Sequence, residues 1–255
     1  MNYSGNKIYK YISENNLQEY FYLAGNHWML IYGDKDGIPK VFAYVNMVDN
    51  LSLRPSTDEK SIMRTCSIIA EQLNLPFIWV RYANNSDVVQ FYHDEETKLF
   101  TLSYDKLREC FESYGVVESG TPKKPVNQYT SSKYHDWQRD NLGRITVTDI
   151  DLIKFYGDQI EAIIELKRSK YSLDRWTPYT NDYPNFALTI NTIVLSGKKI
   201  PFYLYYNLLR DGIAGQRIED LSSIKWFEFV IPNNTIDYGD VHFNYRGIST
   251  LPQLL

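Results

Sequence analysis

The chain has 255 residues and 30.0 kDa, and its 27 Lys+Arg against 31 Asp+Glu give a formal net charge of -4 at a pI near 5.6, which argues against a broadly basic nucleic-acid coat. Hydrophobic residues make up 44% and aromatic residues 15%, with 22 tyrosines, so the chain can bury one large core or two small ones and is not a disordered polymer. Its two cysteines, Cys66 and Cys110, are too few for a disulfide framework and lack metal-ligand spacing.

The opening "MNYSGNKIYKYISENN" lacks the apolar core of a signal peptide, and no run reaches membrane-spanning length; a cytoplasmic, reducing setting without a membrane partner is the expectation. Next come two apolar runs joined by "IYGD" (Ile31 to Asp34). "STDEKSIMRTCSIIAEQLNLPFIWVRY" then sets Ile62, Cys66, Ile69, Ala70 and Leu73 at helical spacing before a strand from Pro76. At "VESGTPKKPVNQYTSSK", Val117 to Lys133, periodicity stops and Pro, Gly, Ser and Lys gather. The expected organisation is a domain over residues 1–117, a linker over 118–130 and a domain over 131–255. Charge differs across the linker, -4 before residue 118 and zero after it. Polyanion contact is therefore expected in the second half, where Lys123, Lys124, Lys133, Arg139 and Arg144 stand.

The second half begins with a short helix, "SSKYHDWQRDNLGR", capped at Ser131 or Ser132, with Tyr134 and Trp137 inward and His135, Asp136, Arg139 and Asp140 outward. Two apolar runs follow, joined by "FYGD" (Phe155 to Asp158), then a helix with apolar Phe186, Ile190, Ile193 and Val194 and a strand from Pro201. Asn185, Thr189 and Thr192 form a polar stripe, read as a surface face. The two "YGD" turns lie 124 residues apart and the two "PF" strand starts 125 apart. That agreement points to an internal duplication of a helix, strand, strand, helix, strand, strand unit.

"TVTDIDLIKFYGDQIEAIIELKRS", Thr146 to Ser169, sets carboxylates and a lysine into otherwise apolar strands. A turn centred on Gly157 and Asp158 puts Asp151 opposite Glu165 and Asp149 opposite Lys167. Alternation then gathers these four on one face and Ile150, Leu152, Ile164 and Leu166 on the other. Three acids at the end of a buried hairpin repel one another, and one lysine does not compensate all three. Hard oxygen donors on neighbouring strands suit Mg²⁺ or Mn²⁺.

"DLI" at Asp151 to Ile153, followed by "ELK" at Glu165 to Lys167, resembles the PD-(D/E)xK nuclease superfamily, the restriction-endonuclease-like fold, over roughly residues 131 to 231. Ile150 stands where the superfamily has its proline. The resemblance implies that Asp151, Glu165 and the backbone carbonyl of Leu166 hold Mg²⁺ or Mn²⁺. It implies Lys167 as the catalytic lysine beside Asp151 and Glu165, and hydrolysis of a phosphodiester in nucleic acid, DNA ahead of RNA. It also makes His135 and Asp136 candidates to join the site, against the plainer reading of a solvated helix face. From the residues themselves, Asp149 reads equally as an extra metal ligand or the salt-bridge partner of Lys167, and Arg168, Lys170 and Arg175 as phosphate contacts or simply a soluble basic loop.

The expected fold is two tandem restriction-endonuclease-like α/β domains, each a mixed sheet flanked by helices. In the first, His27 falls at the place of Asp151, and Tyr44 and Asn46 at those of Glu165 and Lys167, so this copy is degenerate. It is expected to bind a protein partner or mediate homo-oligomer pairing. Two rivals are a non-catalytic adaptor or inhibitor on the same scaffold, and a nuclease effector released by a ligand or partner.

Overall fold

The computed structural model describes residues 6–93, 98–117, 132–211 and 217–255; the linker, Lys123, Lys124 and Ser131 lie outside the described residues. In chain order the elements are α1 (Lys7–Glu14), β1 (Tyr20–Phe21), β2 (His27–Gly33), β3 (Pro39–Met47), α2 (Thr57–Gln72), β4 (Phe77–Tyr82), β5 (Val88–His93), β6 (Phe100–Ser103) and α3 (Tyr104–Ser113). The second half repeats that order: α4 (Lys133–Asn141), β7 (Thr146–Asp149), β8 (Leu152–Tyr156), β9 (Gln159–Ser169), α5 (Tyr183–Ser196), β10 (Phe202–Asp211), β11 (Arg217–Phe229), β12 (Phe243–Ser249) and α6 (Leu251–Leu254). Two mixed six-stranded sheets result, an N-sheet ordered β7-β2-β3-β4-β5-β6 and a C-sheet ordered β1-β8-β9-β10-β11-β12. Among the described residues the only parallel pair in each is the central one, β3 with β4 and β9 with β10.

The halves exchange their first elements. The edge strand of the C-sheet is β1 from the first half, with Tyr20 opposite Lys154; the edge strand of the N-sheet is β7 from the second, with Leu30 opposite Asp149. Each preceding helix follows its strand: α1 packs Ile8, Tyr9 and Ile12 on the outer face of the C-sheet, and α4 packs Tyr134 and Trp137 on that of the N-sheet. Residues 1–117 and 131–255 therefore do not each build a sheet alone. An isolated half would leave a long strand edge unpaired and a core face uncovered.

Between the sheets lie α2 and α5. Cys66, Ile69 and Ala70 of α2 and Phe186, Leu188 and Ile190 of α5 share one core with Phe42 and Tyr44 of the N-sheet and Ile163 and Phe202 of the C-sheet. α2 keeps an exposed face with Lys60, Arg64 and Glu71, whereas α5 is buried on all sides from Phe186 to Ile193. The expected surface stripe on α5 is therefore corrected: Thr189 and Thr192 are 3% and 0% exposed. Their hydroxyls donate back to the carbonyls of Asn185 and Leu188, which makes burial tolerable.

Two buried amides tie each helix to the other half's hairpin. Gln72 of α2 donates to the Asp158 carbonyl at 2.5 Å and accepts from Ile160 N–H at 2.8 Å. Asn191 of α5 donates to the Gly37 carbonyl at 2.9 Å and, toward the chain before β12, accepts from Ile236 N–H at 2.7 Å. At Gly33 a Cβ would come within 2.6 Å of Leu188 Cδ1 and 3.0 Å of the Ile38 carbonyl oxygen, so a larger residue there would require the Leu188 side chain of α5 to shift.

Candidate active site

The β8–β9 ladder pairs Leu152 with Ile164 and Ile153 with Ile163. Carried one step further, that register sets Asp151 beside Glu165. Asp151 accepts from Leu166 N–H through Oδ2 at 2.8 Å. Ile163 N–H bonds toward β10, to the Pro201 carbonyl, so alternate residues turn their backbone groups the other way. The Leu166 carbonyl therefore faces the Asp151 side together with its N–H. Asp151 and Glu165 are 6% and 8% exposed, and Lys167 keeps 28% of its side chain open.

Asp149 does not face Lys167 as the extended hairpin predicts. Between Asp149 and Leu152 the chain leaves one sheet and enters the other, so Asp149 ends β7 opposite Leu30. Ile150 likewise joins the inter-sheet core instead of lining up with Leu152. Asp149 and Asp151 still share a cleft at this crossing, walled by Tyr9, Gly25, His27 and Trp28. The Tyr9 hydroxyl donates to the Asp151 carbonyl at 2.9 Å.

Lys167 Nζ lies 2.8 Å from Glu165 Oε1 and 3.6 Å from Asp182 Oδ2, with the Phe186 ring 5.8 Å away. Asp182 is the N-cap of α5, but its side chain makes no capping bond there. Burial, the Glu165 charge and Asp149 together push the Asp151 carboxyl well above the ordinary carboxylate range, against the pull of Lys167 and Leu166 N–H. Glu165 is also raised, chiefly by burial, with Lys167 opposing. Burial alone would lower Lys167, but Glu165 and Asp182 outweigh it and hold the ammonium above its usual value.

The sign of the acid pair makes a prediction. A carboxyl raised in the fold binds its proton more tightly folded than unfolded, so stability is full below about pH 4 and falls as pH rises through the raised value. Asp151→Asn is expected to raise the metal-free melting temperature at pH 7 to 8 and to lessen its decline between pH 5 and 8. Thermal scans without metal check this; an unchanged or lower melting temperature at pH 8 would show that Asp151 is well tolerated as an anion.

Among the described residues no group of three or more His, Cys, Asp or Glu is arranged to hold a metal ion. The donor set at this site is smaller: two buried carboxylates with raised proton affinity and a carbonyl on the same side. That set fits a hard cation that keeps several of its waters.

The other sequence candidates do not join Glu165, although His135 lies edge-on to Trp28 at 5.1 Å and feels the charge of Asp149 at the neighbouring cleft. Because α4 covers the N-sheet, His135 and Asp136 do not flank Glu165. His135 Nδ1 meets Ser132 Oγ at 2.7 Å, burial pushes its pKa down to about 4, and Asp136 pairs with Arg139. Arg168 pairs with buried Glu219, and Lys170 with Asp211 at 2.5 Å; Arg175 is exposed.

At the equivalent place in the N-sheet, parallel register aligns Phe42 with Phe77 as it aligns Ile163 with Phe202, which puts Tyr44 and Asn46 at the positions of Glu165 and Lys167. The place of Asp151 belongs to Met29, opposite Tyr44. The "YGD" match misplaces it at His27 because β2 and β3 are joined by a longer loop than β8 and β9. His27 Nδ1 nevertheless reaches Tyr44 Oη at 2.7 Å. The first copy is filled by its own polar groups: Glu59 accepts from Asn46 at 2.8 Å and from Arg81 Nε at 2.7 Å, and Trp79 donates to Asn46 at 2.7 Å.

No protein-family profile matches the chain, and no curated protein matches it. Among solved structures, the C-terminal domain of sex pheromone staph-cAM373 precursor from Staphylococcus aureus is similar at 9% identity over 93% of this chain and 72% of that one, with a TM-score of 0.16. A likeness that slight carries no argument about fold or function. No helix among the described residues is long and apolar enough to cross a membrane.

Proposed function

We propose that the chain is a metal-dependent nuclease, built as two restriction-endonuclease-like units, with its active site at Asp151, Glu165 and Lys167. The reading rests on one observation above the rest: Asp151 and Glu165 are buried together at the open end of a hairpin, with the Lys167 ammonium 2.8 Å from Glu165 and partly open to solvent. As anions, two carboxylates so enclosed repel each other, and a divalent cation relieves that repulsion as protonation does. Asp151, Glu165 and the Leu166 carbonyl would hold Mg²⁺ or Mn²⁺, which when bound stabilises phosphoryl charge and acidifies water. Lys167 orients the attacking water and balances charge on the scissile phosphate. The products are a 5′-phosphate and a 3′-hydroxyl, as the PD-(D/E)xK resemblance implies. The first unit, carrying -4 of the chain's charge and a closed polar network, serves a protein partner or pairing rather than phosphate contact.

A second reading, a non-catalytic adaptor on the same scaffold, is favoured by the Lys167–Glu165 ion pair, which gives the glutamate a counter-ion without metal. The two readings separate on incubating the protein with plasmid, linear duplex, single-stranded DNA and RNA, in Mg²⁺, in Mn²⁺ and in chelator. The nuclease reading expects cleavage of DNA that chelator abolishes. No cleavage of any substrate, with no Mn²⁺ binding by calorimetry near neutral pH, overturns the nuclease reading and favours the adaptor.

A further inference from the structure

Lys167 touches two carboxylates from different elements, Glu165 on its own strand at 2.8 Å and Asp182 at the start of α5 at 3.6 Å. If Glu165 is to hold a cation, its ammonium partner must be able to let go without being stranded in a largely enclosed site. Asp182 is placed for that. As the residue before α5 it would ordinarily turn its oxygen back onto the helix N–H groups, yet it makes no such bond, and Pro184 at the helix start removes one of the donors. Its carboxylate oxygen Oδ2 lies 3.6 Å from Lys167 Nζ.

The first half of the chain supplies an independent parallel. There the strand cation is Arg81, and it is held by Glu59 in the first turn of α2 at 2.7 Å, with no strand carboxylate at the Tyr44 position. A carboxylate from the first turn of the inter-sheet helix thus supplies the counter-charge of a buried strand cation in this architecture, with the Leu53 carbonyl and Gln90 completing its hydrogen bonds. In both halves the helix between the sheets presents an acid to the cation of the central strands.

We propose that Asp182 is a positioning residue that takes over Lys167 when Glu165 engages a divalent cation, so that the ion pair is handed from strand to helix and Glu165 is freed. The proposal rests on the cation site described above and adds to it a residue that acts through the lysine. Without Asp182 the ammonium loses one of its two ion pairs and rests chiefly on Glu165, so a cation must compete with it for that carboxylate.

The test is Mn²⁺ titration by calorimetry of the full chain, on the parent, Asp182→Asn, Asp182→Glu, Lys167→Met and the Asp182→Asn/Lys167→Met pair. Asp182→Asn is expected to weaken Mn²⁺ binding about tenfold, Asp182→Glu to restore most of it, and Asp182→Asn in the Lys167→Met background to change nothing, because the competing ammonium is gone. Equal weakening in both backgrounds would make Asp182 a direct ligand and overturn the hand-over. Unchanged binding in Asp182→Asn beside a parent that binds would overturn it too. A parent that binds no Mn²⁺ removes the cation site itself and the hand-over with it. Matching melting temperatures of parent and Asp182→Asn separate these outcomes from a folding defect, and where the melting temperatures differ the two Lys167→Met proteins still provide the comparison.

Discussion

On the proposed nuclease reading, Glu165→Ala and Lys167→Ala are each expected to lose Mg²⁺-dependent cleavage by about 10²- to 10³-fold or more, the scale on which removing one preorganised charge acts, while the fold persists. Glu165→Ala removes one of two carboxyls that burial and mutual repulsion destabilise as anions, and Lys167 keeps Asp182 at 3.6 Å. Lys167→Ala leaves Asp151 and Glu165 without their ammonium, but both can take up protons, since each is already held above the ordinary carboxylate range. Cleavage assays paired with thermal scans check both halves of the expectation. A mutant that cuts as fast as the parent places the chemistry elsewhere.

Arg81→Met costs about 3–5 kcal/mol, as removal of one partner of a buried ion pair does, and lowers the melting temperature on the order of 10 °C for a chain of this size. Arg81 is 3% exposed. Its guanidinium donates to Glu59, to the Leu53 carbonyl at 2.8 Å and to Gln90 at 2.9 Å. Glu59 also holds Asn46 and closes a capping box with Ser56, so the mutation strands a carboxylate tied to three elements. Adding Glu59→Gln should recover a large part of the loss, because the uncompensated charge is then gone. A single-mutant shift below about 2 °C would mean that water reaches Glu59 and the network is not the support that its burial indicates.

The two closed ends of the molecule use related solutions. In the first half Arg81 permanently supplies the positive charge that Glu59 needs; in the second, Asp151 and Glu165 share only Lys167. The first arrangement is self-contained and the second is short of positive charge. That difference is the physical basis for the proposal that the second half, and not the first, binds a cation.

Local pattern determined much of this. The apolar periodicity of α2, the Ser132 cap of α4 with Tyr134 and Trp137 inward, and the hairpin register that sets Asp151 beside Glu165 were all readable in the sequence, because caps, 3.6-residue stripes and two-residue turns depend on neighbours close in the chain. The repeat was also readable, though its "YGD" anchor misplaced His27, since loops of unequal length shift a ladder that sequence offset alone cannot follow. Only tertiary structure decided that β1 and β7 trade sheets, that Asp149 therefore leaves the hairpin, that Thr189 and Thr192 lie buried between two sheets, and that Asp182 meets Lys167. Each of these depends on which distant strand or helix covers an edge or a face, and that choice is made by the burial of whole surfaces, not by any residue's neighbours in the chain.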